Sequence, residues 1–247
     1  MSASIPLSKS VPLLLRVSVS LCFIGHGAFG FIYKEGWVVF FTYFGISRAW
    51  VPSLELVIGM MDLSCATISL LFPFPAFFAY AVFWTVWTAF LRPLTGLGWW
   101  EFFERAGNFG VPLAVLALYL LADSTKKHWF KPRFPRLDSD RQVVVVTRVL
   151  QVTTVLLLLG HSGLAFAQSK QILGFHMGTV IAAMGSHASA QHLLHISGLI
   201  DVSLALAVLC YPASIIFLLT FCWKIAIESL YPFSGDYTWE FIERFGS

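Results

Sequence analysis

Two aspartates, two histidines and two copies of an acidic, aromatic octapeptide carry most of the chemistry available to this sequence. Asp62 and Asp201 lie 139 positions apart inside long apolar runs, each three residues after a glycine, Gly59 or Gly198. A charged side chain near a bilayer midplane costs about 2.5–3.5 kcal/mol on insertion scales. Such an aspartate must find a partner, lose its charge or serve a function, and the nearby glycine lets another helix come close. Two readings stay open: a protonated or backbone-bonded Asp that stitches helices, or proton or substrate handling at two matched sites. His26 and His161 recur at an offset of 135, each directly after a glycine. They read either as hydrogen-bonded packing residues or as members of a site. Glu55, whose place in the second half is taken by Leu194, is a candidate partner for His26.

The octapeptide is Trp100-Glu101-Phe102-Phe103-Glu104-Arg105-Ala106-Gly107, and 139 positions later Trp239-Glu240-Phe241-Ile242-Glu243-Arg244-Phe245-Gly246, with six of eight residues identical. On a helix the first Glu (Glu101, Glu240) precedes the Arg (Arg105, Arg244) by four residues, the favourable order for an ion pair. The aromatic residues suit headgroup depth. One reading is an amphipathic plug that orients the spans; the other has Glu104 and Glu243 facing a central cavity. The second half is also rich in histidine, with His176, His187, His192 and His195. His187, His192 and His195, with His161, are candidate ligands for a transition metal or a haem iron. A histidine-lined, pH-sensitive vestibule is the competing reading, because no Cys or carboxylate stands at metal spacing.

Composition says what must position these groups. Of 247 residues, 57% are hydrophobic and only 12% charged, and the mean hydropathy is +0.77. A soluble domain carries roughly 25% charged residues, so this chain has too little charge to cover a soluble surface. Seven apolar segments are predicted as helices, at about 11–32, 52–72, 76–91, 109–122, 143–166, 189–210 and 212–228. Several approach the ~20 residues that cross ~30 Å of hydrocarbon, and the ~10-residue alternation of a β-barrel is absent. The expected fold is an all-α, polytopic transmembrane bundle with short interfacial helices, one of them in the aromatic excursion 33–51. The N-terminal run is read as a retained span, since no small-residue cleavage site follows it.

Trp84 with Trp223 and Pro73 with Pro212 repeat at the same offset as the aspartates. A duplicated unit explains this: a four-span repeat over 1–122, a basic linker over 123–142, and a three-span repeat over 143–247. Seven of the sixteen Lys and Arg residues fall between Lys126 and Arg148. The positive-inside rule places that linker and the N-terminus in the cytoplasm, and hence both octapeptides and the C-terminus outside. The repeats then run parallel. The basic cluster suits anionic lipid heads and argues against a nucleic-acid partner. The four cysteines, all in apolar segments without a CxxC, read as free thiols.

Arg16, Gly25-His26-Gly27, Lys34 and Glu55-Leu-Val-Ile-Gly-Met-Met-Asp62 resemble the four-helix DoxX-like membrane proteins over roughly 11–122, and more weakly over 143–228. That resemblance implies a bacterial cytoplasmic membrane and a link to quinone-coupled redox chemistry. The Trp-Glu-Phe-x-Glu-Arg element and the absent eighth span depart from the family pattern. Three function classes follow. The first is an accessory subunit of a larger redox or quinone-linked complex, meeting other subunits or a second copy through the open side of the second repeat. The second is a quinone- or haem-binding oxidoreductase whose aromatic residues form a slot. The third is a small proton-linked transporter or channel using Asp62 and Asp201.

Overall fold

A computed structural model describes residues 7–122, 128–167, 178, 190–233 and 238–246, and every regular element among them is helical. In the first half, α1 spans Leu7–Ile32, α2 Val38–Tyr43, α3 Val51–Leu71, α4 Pro75–Leu94, α5 Trp99–Glu104 and α6 Ala106–Leu120. In the second, α7 spans Asp140–Phe166, α8 Ala190–Cys210, α9 Ser214–Glu228, α10 Leu230–Phe233 and α11 Thr238–Phe245. Among the described residues, six helices are long and apolar enough to cross a membrane: α1, α3 with the short turn before it, α4, α7, α8, and α9 continuing to Pro232. The chain is an integral membrane protein built as a polytopic helical bundle.

The expected fourth span is shorter than a membrane crossing. At 15 residues, α6 reaches only about 22 Å. It can be short because protein, not lipid, surrounds it: α6 packs on α1, α4 and α7, and Gly110, Ala114, Val115 and Leu118 are buried. Phe78 and Ala81 of α4 share one core cluster with Val111, Ala114, Val115 and Leu118.

Small residues bring α1 and α3 together. A Cβ on Gly30 would overlap the Glu55 carbonyl and Gly59, and one on Gly59 would overlap the Gly27 carbonyl. This close approach is the small-residue packing that membrane helices use in place of a hydrophobic drive. At the C-terminal end of α3, Arg16 Nε donates to the Ser69 carbonyl (2.9 Å) and its Nη2 bonds the Leu70 carbonyl. It therefore satisfies two terminal carbonyls of α3 as well as marking the end of a span. The linker is stitched to the same end: Arg133 N–H donates to the Pro73 carbonyl and Leu137 N–H to that of Ser8. Ser139 and Gln142 then form a capping box that starts α7.

Candidate functional site

The α1–α3 crossing sets His26 Nδ1 2.6 Å from a carboxylate oxygen of Asp62, a residue with no exposed surface. The second Asp62 oxygen accepts from Trp84 Nε1 at 3.1 Å. Trp37, in the turn before α2, stacks on the imidazole with ring centroids 4.6 Å apart. His26 and Trp84 open onto a slot of about 240 Å³ whose other walls include Trp37, Phe40, Phe44 and Trp87, with Arg92 also in the lining. Arg92 donates to the Thr88 carbonyl at 2.8 Å and lies over the Phe40 ring. The result is an aromatic cleft with a guanidinium and a histidine among its walls, the histidine backed by the buried Asp62.

The second half repeats the frame and changes the contents. Trp223 Nε1 donates to Asp201 at 2.9 Å, matching Trp84 and Asp62. His161 lies between two glutamates, with Nδ1 3.8 Å from Glu104 and Nε2 3.8 Å from Glu228. Here α5–α6, α7, α9 and α11 enclose a cavity of about 260 Å³, lined by His161, Thr153, Thr220, Lys224, Glu228 and Arg244 among others.

The octapeptides interlock the halves. Arg105 of the first pairs with Glu243 of the second, and Arg244 of the second pairs with Glu104 of the first at 3.3 Å. Each helix also seats on the glycine that precedes the other half's histidine. A Cβ on Gly25 would overlap the Glu243 backbone, and one on Gly160 would overlap that of Glu104. Gly163 likewise admits the Trp100 ring. Glu240 reaches Lys34 at 2.6 Å, so α11 touches the loop beside the aromatic slot as well as the polar cavity. Burial pushes the Glu243 carboxyl up, but Arg105, then His26, Lys34 and Arg244 outweigh it and hold it down at about 2. Burial alone would lower Arg105 and Arg244, yet their glutamates raise both above the ordinary arginine value.

Several expectations change. Asp62, not Glu55, partners His26, because a crossing at Gly27, Gly30 and Gly59 brings together residues on the facing sides of α1 and α3. Glu55 is fully buried and instead accepts the Lys34 backbone N–H at 2.9 Å. The intrahelical Glu101–Arg105 pair gives way to Arg105–Glu243 and to Glu101 with Arg92 at 3.7 Å, because α5 ends at Glu104. In α11 the equivalent Glu240–Arg244 pair is present at 3.5 Å. Trp100 and Trp239 are exposed. Of the two glutamates expected to face a cavity, Glu104 lines the polar one, whereas Glu243 is buried against Arg105.

Of the metal candidates, His187 lies outside the described residues, as does His176. His195 sits beside the Phe166 ring, and His192 is exposed on α8. Among the described residues, no group of three or more His, Cys, Asp or Glu is placed to hold a metal. Sequence reasoning passed over Arg92, Lys224 and Glu228 and gave Lys34 no place in a site. For Lys224 and Glu228 the signal was there, since a charge within a predicted span is costly enough to mark a site.

No protein-family model, characterised protein or solved structure matches this chain.

Proposed function

We propose that this membrane protein binds a planar, apolar carbonyl compound of the quinone class in its first half, as an accessory subunit of a redox-linked membrane complex. One observation carries the reading: the His26–Asp62 pair opens onto a slot walled by Trp37, Phe40, Phe44, Trp84 and Trp87. Aromatic walls with a few fixed polar groups suit a flat apolar ring that bears oxygens. With Nδ1 committed to Asp62, Nε2 is the ring nitrogen left to meet such an oxygen. It donates to a quinone carbonyl when the imidazole is protonated and accepts a quinol proton when it is neutral. Arg92 is a second donor for a second oxygen. The repeated Asp–Trp bond and the interlocked octapeptides support a duplicated unit, and the basic linker supports an inner-membrane protein with its N-terminus in the cytoplasm.

The test is a titration of the purified chain with a short-chain benzoquinone, read by quenching of tryptophan fluorescence. Saturable quenching is expected, weakened roughly tenfold or more in His26→Ala, the loss of one strong hydrogen bond. Quenching that never saturates, or that His26→Ala leaves untouched in a folded protein, overturns the reading.

A further inference from the structure

The polar cavity of the second half is lined by a stripe of α9 that has a counterpart on α4, and the two stripes differ at three of four positions. On α4, Phe78, Ala81, Thr85 and Ala89 form one buried helical stripe, and α6 packs on that helix. The same stripe on α9, 139 positions later, reads Phe217, Thr220, Lys224 and Glu228, and all four line the cavity. Where one half uses small side chains that admit a helix, the other presents a hydroxyl, an ammonium and a carboxylate. An apolar helix or acyl chain laid there would strip these groups of water and return no hydrogen bonds. A polar ligand is therefore the better fit.

We propose that this cavity binds an organic monoanion, a carboxylate carried on an apolar body such as a medium-chain fatty acid. The donors argue for the carboxylate. Lys224 Nζ and Arg105 Nε are both buried with no hydrogen-bond acceptor among the described residues, and both residues line the cavity. Among the described residues, Lys224 makes only an ion pair with Glu228 at 3.4 Å, a carboxylate also engaged by Arg244 at 3.1 Å. Thr153 and Thr220 spend their hydroxyl protons on carbonyls one turn back. The walls argue for the apolar body, since Leu157, Phe217, Phe221, Ile225, Phe241 and Phe245 complete the lining.

Charge balance decides the form in which the ligand enters. Around the cavity, Lys34 pairs with Glu240, Arg105 with Glu243, Lys224 with Glu228, and Arg244 with Glu104 and Glu228. Among the described residues, the fixed charges on α5–α6, α9, α11 and the loop after α1 therefore cancel, and the group on α7 that can take up a proton between them is His161. The ligand enters as the neutral acid. Its O–H bond breaks, the proton forms an N–H bond on His161, and the carboxylate stays on Lys224. The net charge of the cluster is unchanged, and the imidazolium lies between Glu104 and Glu228.

The experiment is equilibrium binding of labelled decanoate to the full chain in lipid nanodiscs, corrected for partition into empty discs, with decanol and decyltrimethylammonium as competitors. Decanoate is expected to bind saturably and to resist both competitors by roughly tenfold, the worth of a charge-assisted hydrogen bond. Lys224→Met should lose that preference at an unchanged melting temperature, and Lys224→Arg should keep it. Equal competition by decanol would reduce the cavity to a hydrophobic void and overturn the proposal. So would a folded Lys224→Met that binds decanoate as the native chain does. If Lys224→Met does not fold, the competitor ranking on the native chain decides alone.

Discussion

The two halves share a frame and differ in what fills it. In both, a tryptophan indole holds a buried aspartate, a glycine receives the other half's octapeptide, and a histidine follows that glycine. In the first half, α6 closes over α4 and the remaining space is an aromatic slot beside His26. In the second, the matching face of α9 carries Thr220, Lys224 and Glu228, and the space combines these polar groups with apolar walls. The frame is set by contacts that tolerate little change: glycine crossings, Asp–Trp bonds and reciprocal ion pairs. The chemistry is set by a few stripe positions that the frame leaves free. Asp62 and Asp201 take part in the frame, since each accepts an indole N–H across helices.

The largest effect should come from cutting the interlock, and its asymmetry tests the comparison. Glu243→Ala leaves Arg105, 13% exposed in its side chain, without its carboxylate partner; such losses in buried pairs cost about 3–5 kcal/mol. Glu104→Ala should cost distinctly less, because Arg244 keeps Glu228 and Glu240. Thermal melts of the two variants in the same detergent give the ordering, and equal losses would mean that the pairs are interchangeable. A smaller effect should follow from filling the seats. Gly25→Ala and Gly160→Ala each drive a methyl group into the backbone of the opposing octapeptide, a cost of about 1–3 kcal/mol for overpacking. Since the seats correspond, the two melts should fall together. A drop confined to one would break the correspondence between the halves.

Much of the frame was legible in the sequence because membrane burial writes it in composition. The seven apolar runs match α1, α3, α4, α6, α7, α8 and α9 within a few residues at each end. The paired offsets of Asp, Trp, His and the octapeptide located the conserved geometry between halves. Pairing was not legible. Glu55 and Asp62 lie seven residues apart on α3, and either could have met His26; the choice rests on where glycines let the helices cross, a property of both surfaces at once. Arg105 gave no sign that it reaches Glu243 rather than Glu101, because a helix break at one residue redirects the side chain. Lys224 and Glu228 are a different case: both sit within an apolar run, but neither repeats, since Thr85 and Ala89 stand at the matching offset in the first half.

The smallest effect is in acid, and it separates the octapeptides. Glu243 titrates at about 2 in the folded chain against an ordinary value of 4.5, and Glu240 is lowered as well, with burial opposing and Arg244 and Lys34 prevailing. A carboxyl depressed by folding stabilises the fold fully above its unfolded value. That contribution fades as pH falls from about 4.5 towards 2, where the folded form also takes up its proton. Between pH 8 and 6 the melting temperature of Glu243→Gln should therefore sit below the native one by a constant gap. From pH 4.5 downward the gap should narrow, because the native chain progressively loses what the variant never had. A gap that stays constant to pH 3 would mean that Glu243 contributes through shape and hydrogen bonding rather than charge. The interlock would then be a packing device in the second half, with the ion pairs secondary to the glycine seats.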